Sequence, residues 1–97
     1  MVGVAYVGDS GSGQRFAFTF NRPVVDPGDP AFYTIITQDS PFGGQDVDSV
    51  VGSVVTVIFS DDSQLNPPTS FAIDGGNDIV FSPAGSLPAS SGPVTGV

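Results

Sequence analysis

The segment Arg15-Phe16-Ala17-Phe18-Thr19-Phe20 alternates strictly between a phenylalanine and a small or polar residue. Successive side chains of an extended strand point to opposite faces, so the alternation puts Phe16, Phe18 and Phe20 on one face and Arg15, Ala17 and Thr19 on the other. A single exposed sheet would leave the three rings in water, so a second layer has to cover them. The same period recurs in Ser53-Val54-Val55-Thr56-Val57-Ile58-Phe59, which is β-branched almost throughout and has Val55, Val57 and Phe59 as its expected inward set.

Thirteen glycines and nine prolines fall between the apolar runs instead of gathering at one end, and they act as turn punctuation. Val2 to Val7 reads as a first strand and Gly8 to Gly13 as a flexible turn. Pro23, Pro27 and Pro30 bracket an acidic loop from Val24 to Asp29, which cannot continue a ladder because proline lacks the amide donor. Ala31 to Gln38 resumes as a strand with apolar groups on both faces. Ser40 to Gln45 is a turn region, and Asp46 to Val51 supplies a short edge strand. Asp61 to Pro68 is polar and closed by proline. Thr69 to Ile73 is read as a strand, Asp74-Gly75-Gly76-Asn77 as a hairpin turn and Asp78 to Ser82 as the partner strand. Val94 to Val97 is a last strand, and it and Val2 to Val7 are expected to leave unpaired edges. No window has helical periodicity with caps, and leucine occurs only at Leu65 and Leu87. Seven to eight short turn-linked strands over residues 1–97 predict one all-β domain, an antiparallel β-sandwich whose two sheets share a core.

The net charge of −8 comes from ten acids, all aspartate, against Arg15 and Arg22, and the chain has no Glu, Lys, His, Cys or Trp. This inventory removes thiol nucleophiles, disulfides, imidazole bases, Cys/His zinc sites, Schiff-base lysines and P-loops. Phosphate backbones are repelled, since affinity for them depends on Lys and Arg, so nucleic acid is excluded as an expected partner. The amino terminus has neither a basic n-region nor an apolar run long enough for a signal peptide, and membrane insertion is not expected. Two readings of the chain stay open: a complete short gene product, or one repeat of a longer surface protein.

The order of landmarks resembles the bacterial immunoglobulin-like repeats of large surface and adhesion proteins. The similar pieces are Phe16-Ala17-Phe18-Thr19-Phe20-Asn21-Arg22-Pro23-Val24, Ala31-Phe32-Tyr33-Thr34-Ile35, Val54-Val55-Thr56-Val57-Ile58-Phe59-Ser60, and Ile79-Val80-Phe81-Ser82-Pro83-Ala84-Gly85 running to Gly92-Pro93-Val94. They cover nearly the whole chain, but each is short and encodes strands and turns. The resemblance implies an immunoglobulin-like sandwich and a non-catalytic spacer, adhesive or decorating module. Family members sit in tandem arrays, whereas this is one unit. A freestanding unit of this kind resembles the small immunoglobulin-like proteins that decorate bacteriophage capsids or tails.

Three chemistries remain open to Asp, Ser, Thr, Tyr, Asn, Gln and two Arg. Asp9-Ser10-Gly11 reproduces the short triplet of aspartic proteases, with Val50-Val51-Gly52 as the only candidate for their second, apolar-apolar-Gly element; the competing reading is a hairpin loop with a solvated carboxylate. Calcium wants six to eight oxygens, for which the candidate pairs are Asp26 with Asp29, Asp46 with Asp48, Asp61 with Asp62, and Asp74 with Asp78. None has the spacing of an EF-hand, and the ordinary reading of each pair is turn formation and capping. Partner contact is the third: Phe42 at an expected loop tip, Tyr6 and Tyr33 as aromatics, and Arg15 and Arg22 as lone cations able to reach a partner's carboxylates. The expectation is a non-enzymatic structural or attachment module, most simply a decoration protein on a virion. It would bind protein subunits of a larger assembly as a homo-oligomer or on a capsid. A cell-surface adhesin repeat binding calcium or carbohydrate is the alternative, and a dimeric aspartic protease the remote one. No cofactor is expected apart from that calcium, and the expected location is a virion surface or the extracellular face of a cell.

Overall fold

The phenylalanine stripe forms the strand its alternation requires: Gln14–Thr19 is β2, and Phe16 and Phe18 are fully buried while Thr19 is exposed. A computed structural model of the chain describes residues 3–38, 40–65, 67–73, 79–84 and 91–96. Among these the strands are β1 (Gly3–Asp9), β2, β3 (Val24–Asp26), β4 (Tyr33–Ile36), β5 (Pro41–Gly43), β6 (Asp46–Val51), β7 (Val54–Phe59), β8 (Ser70–Ile73), β9 (Val80–Phe81) and β10 (Ser91–Thr95), with a 3-10 turn at Pro30–Phe32 and one helical turn, α1, at Asp62–Leu65. The protein is all-β, as the sequence predicts.

Eight strands form one curled sheet in the order β5-β4-β8-β10-β1-β2-β7-β6, and β3 pairs with β9 in a small second sheet. The large sheet curls around the aromatic core. The Phe18 ring centroid lies 5.0 Å from that of Tyr33 on β4, 6.0 Å from that of Phe71 on β8 and 6.1 Å from that of Phe59 on β7. The half β1-β2-β7-β6 therefore faces the half β10-β8-β4-β5. Tyr33, Ile35, Val55, Val57, Phe59 and Phe71 complete a dry centre, each removing roughly 1.5–3 kcal/mol worth of apolar surface from water. The expected inward set of β7 is met in full.

Four expectations are corrected. The sandwich is not purely antiparallel with two separate sheets, because β1 and β10 pair in parallel, Val4 with Val94 and Ala5 with Thr95, and this seam joins the halves. The terminal strands are consequently interior to the sheet and not its edges, since β1 also pairs with β2 and β10 with β8. Ser70–Ile73 does not form a hairpin with the strand that follows: β8 already has β4 on one side and β10 on the other, and Val80–Phe81 pairs with Val24–Asp26 instead. The segment read as a proline-bracketed loop thus contributes β3. The turn expected at Asp74 to Asn77 lies outside the described residues.

The true edges are β5 and β6, and both are blunted. Three residues with Pro41 at the start make β5 a poor template, and β6 carries Asp46, Asp48 and a bulge between Val47 and Ser49. Between them the chain steps from one half to the other: Gly44 N–H donates to Tyr33 O at 2.8 Å, and the next amide, Gln45 N–H, donates to Ile58 O at 2.8 Å. A side chain at Gly44 would run into the Pro30 carbonyl and lie 2.7 Å from Val57 Cγ1, so only glycine permits this crossing. Gly13, where a Cβ would strike the Phe59 carbonyl, does the same for the β1–β2 hairpin.

Candidate interaction surfaces

At one end of the sheet the β1–β2 hairpin meets the loop after β7. Gln14, inward-facing and buried, donates from Nε2 to Asp61 Oδ1 at 3.2 Å and to Asp9 Oδ2 at 3.4 Å, while its Oε1 accepts the Tyr6 hydroxyl. One amide thus gathers two carboxylates and a phenol from two segments, β1 and the loop after β7, and two exposed aspartates hold it in place from outside. Asp9 also accepts from Gly11 N–H at 2.7 Å, the bond of an Asx turn. The other element of the protease reading, Val50-Val51-Gly52, lies at the β6–β7 turn. Asp9 pairs with Gln14 and Val51 with Val54 opposite Thr19, so the two sit at opposite ends of β2, roughly 17 Å apart at 3.3 Å per residue.

The aspartate pairs have local duties. Asp26 Oδ1 accepts from Gly28 N–H and Asp29 Oδ1 from Ala31 N–H, both at 2.9 Å, each closing its own turn. Asp46 and Asp48 are exposed on the β6 edge, Asp61 holds Gln14, and Asp62 opens the helical turn. Asp74 and Asp78 lie outside the described residues. Among the described residues no three metal-ligating side chains of the His, Cys, Asp and Glu types come together.

The aromatic contacts expected at the surface are largely inside. Tyr33 is fully buried, and its hydroxyl donates to Pro27 O at 2.7 Å. Burial first, and the Asp26 carboxylate second, push its phenol far above the ordinary tyrosine range. Phe42 is not at a loop tip: it lies on β5 opposite Ile35, half-buried against the core. Tyr6 is half-buried and its ring centroid is 5.3 Å from that of Phe16. The Arg22 guanidinium stacks 4.6 Å above the Phe81 ring in the small sheet. Arg15 lies on the outer face, its Nε donating to Gly8 O at 3.5 Å.

That outer face is what the sequence reading did not assemble. Three cross-strand rows run over β1, β2, β7 and β6: Gly8, Arg15, Ile58, Asp46; Ala5, Ala17, Thr56, Ser49; and Gly3, Thr19, Val54, Val51. Arg15 and Asp46 are the only charged residues in them, so the paired rows of a molecule with net charge −8 balance to zero, with exposed Asp48 beside them in the β6 bulge, and apart from Arg15 and Ile58 their side chains are small. Val51 is 71% exposed at one corner, and Val7, in the β1 bulge at the opposite corner, is 47% exposed. The alternation of β2 made Arg15, Ala17 and Thr19 legible as outward; the register that sets Ala17 beside Ala5 and Thr56 was not.

No helix among the described residues is long and apolar enough to cross a membrane. Comparison with protein-family models, with curated proteins and with solved structures gave no match to this chain.

Proposed function

We propose that this chain is a non-catalytic attachment module of immunoglobulin-like fold, a decoration protein on the exterior of a virion capsid or tail that binds other structural subunits. The observation that carries the reading is the charge-balanced outer face of β1-β2-β7-β6, built mostly of small side chains, on a strongly acidic molecule. Charge keeps such a molecule apart from acidic neighbours at its aspartate-bearing turns, and a sheet face whose paired rows hold one cation and one carboxylate is where a subunit can dock at little electrostatic cost. The immunoglobulin-like assignment is supported by a strand order that pairs first with second, second with seventh and seventh with sixth in one half, against the fourth, fifth, eighth and tenth in the other. Absence of Cys, His, Lys and Glu from the sequence supports a binding role over catalysis.

The test is fractionation of the natural source by sedimentation, with intact-mass analysis of the particle fraction. The expected result is a species near 9.8 kDa present in fixed stoichiometry with the other subunits. A much larger polypeptide containing this stretch would instead support a repeat of a cell-surface adhesin. That second reading, with calcium or carbohydrate as ligand, is favoured by the convergence of Tyr6, Asp9 and Asp61 on Gln14. Isothermal titration with calcium separates the two: heat of binding lost in Asp61→Asn supports the adhesin, and no heat supports the decoration protein.

A further inference from the structure

We infer that the outer face of β1-β2-β7-β6 takes a second copy of this chain, packed face to face about a two-fold axis that runs parallel to the strands between β2 and β7. The inference rests on the attachment reading and names the neighbour. Such an axis keeps each cross-strand row at its own height and reverses its order, so β1 lies over the partner copy's β6 and β2 over its β7. The first row, Gly8-Arg15-Ile58-Asp46, then meets its own reverse. The Arg15 guanidinium does not point straight out. Its Nε bonds Gly8 O, and its Nη2 lies 3.8 Å from where a Gly8 side chain would begin, so the cation rests over β1. That is the position the partner copy's Asp46 occupies under the two-fold, and the pairing occurs twice.

The remaining rows suit the same operation. Ala5 and Ala17 face Ser49 and Thr56 of the other copy, and exposed Val51 comes to rest over Gly3. Small residues opposite small ones let two sheets approach to the roughly 10 Å of ordinary face-to-face packing. The outward rows of the other half, Ser91-Ala72-Thr34-Gly43 and Pro93-Ser70-Ile36-Pro41, carry no charge at all, so the reciprocal pairing of Arg15 with the partner copy's Asp46 is what singles out the β1-β2-β7-β6 face. Four strands about 4.8 Å apart and five or six residues long cover roughly 350 Å2, under half of the about 800 Å2 per partner of a tight interface. The association is therefore weak, with a dissociation constant on the order of tenths of millimolar, and becomes effective when copies are held close together on an assembly.

Sedimentation velocity and equilibrium on the full chain test this, from about 10 μM to about 1 mM in about 0.15 M NaCl, where the Debye length of about 8 Å limits long-range repulsion. The expected result is a reversible dimer that Thr56→Asp and, on the edge strand, Ser49→Asp each weaken at least about tenfold, with unchanged circular dichroism. Arg15→Asp and Asp46→Arg should each weaken it as well, and the double reversal should restore it. A wild-type chain that stays monomeric throughout, face variants that associate like wild type, or a double reversal no better than the single variants would overturn the inference. A chain that docks on particles as a monomer leaves the attachment reading standing and sinks this one; a dimer found in no particle does the reverse.

Discussion

Tyr33 shows how much one side chain can couple. Its ring fills the centre against Phe18, its hydroxyl reaches the Pro27 carbonyl, and the Asp26 carboxylate stands near enough to oppose ionisation. Because the folded pKa is raised above the unfolded value of about 10, the unfolded chain loses its proton first. The contribution to stability is complete below pH of about 10 and falls as pH climbs from there towards the folded pKa. Urea denaturation from pH 8 upward should show stability dropping steeply beyond that point. Tyr33→Phe should lose roughly 1 kcal/mol at pH 8, for the hydrogen bond to Pro27, and show a shallower alkaline drop. Identical alkaline slopes for the two proteins would mean that the phenol is not held neutral by the fold.

Among the elements, β2 is the one on which both halves depend. Phe18 touches rings from β4, β7 and β8, so Phe18→Ala opens a cavity in the core that the two halves of the curled sheet share. The expected cost is about 3–5 kcal/mol, against a total of roughly 5–15 kcal/mol for a domain of this kind. Denaturation by urea, followed by far-ultraviolet circular dichroism, should show the variant close to its midpoint without denaturant; a loss under about 1 kcal/mol would show that the halves are held by something other than this ring. The periods of β2 and β7 were legible because each strand alternates between core and solvent over its whole length. Pairing partners were not. The valines of β1 and Val94 give no sign that the two chain ends lie side by side in parallel, since that contact joins residues ninety positions apart with no turn between them. The glycine-rich run after Ile73 suggested a hairpin by local chemistry, yet β8 was already flanked on both sides. The candidate site was legible only in halves for the same reason: Asp9 and Asp61 meet through Gln14, and Ala5, Ala17 and Thr56 form one row, by register alone.

For the molecule as a whole, charge sets the terms. A body of 37 × 24 × 20 Å carrying −8 is about one Debye length across at low salt, about 30 Å at 0.01 M, and several Debye lengths across at 0.15 M, about 8 Å. Raising NaCl across that range should therefore raise Tm by a few degrees, measured by scanning calorimetry, as self-repulsion in the folded state is screened. A Tm that falls with salt would mean that attractive pairs, and not repulsion, dominate the surface. The same field explains why a face with balanced charge matters: another subunit approaches it with little opposition. Hydroxyl-radical footprinting of the chain, free and within the particle that carries it, tests this directly. The account expects Val7, Val51 and Val54 to be oxidised less in the particle, with Tyr6 unchanged. Protection of Tyr6 and the Asp9–Asp61 end, with the outer face as reactive as in the free chain, would contradict it.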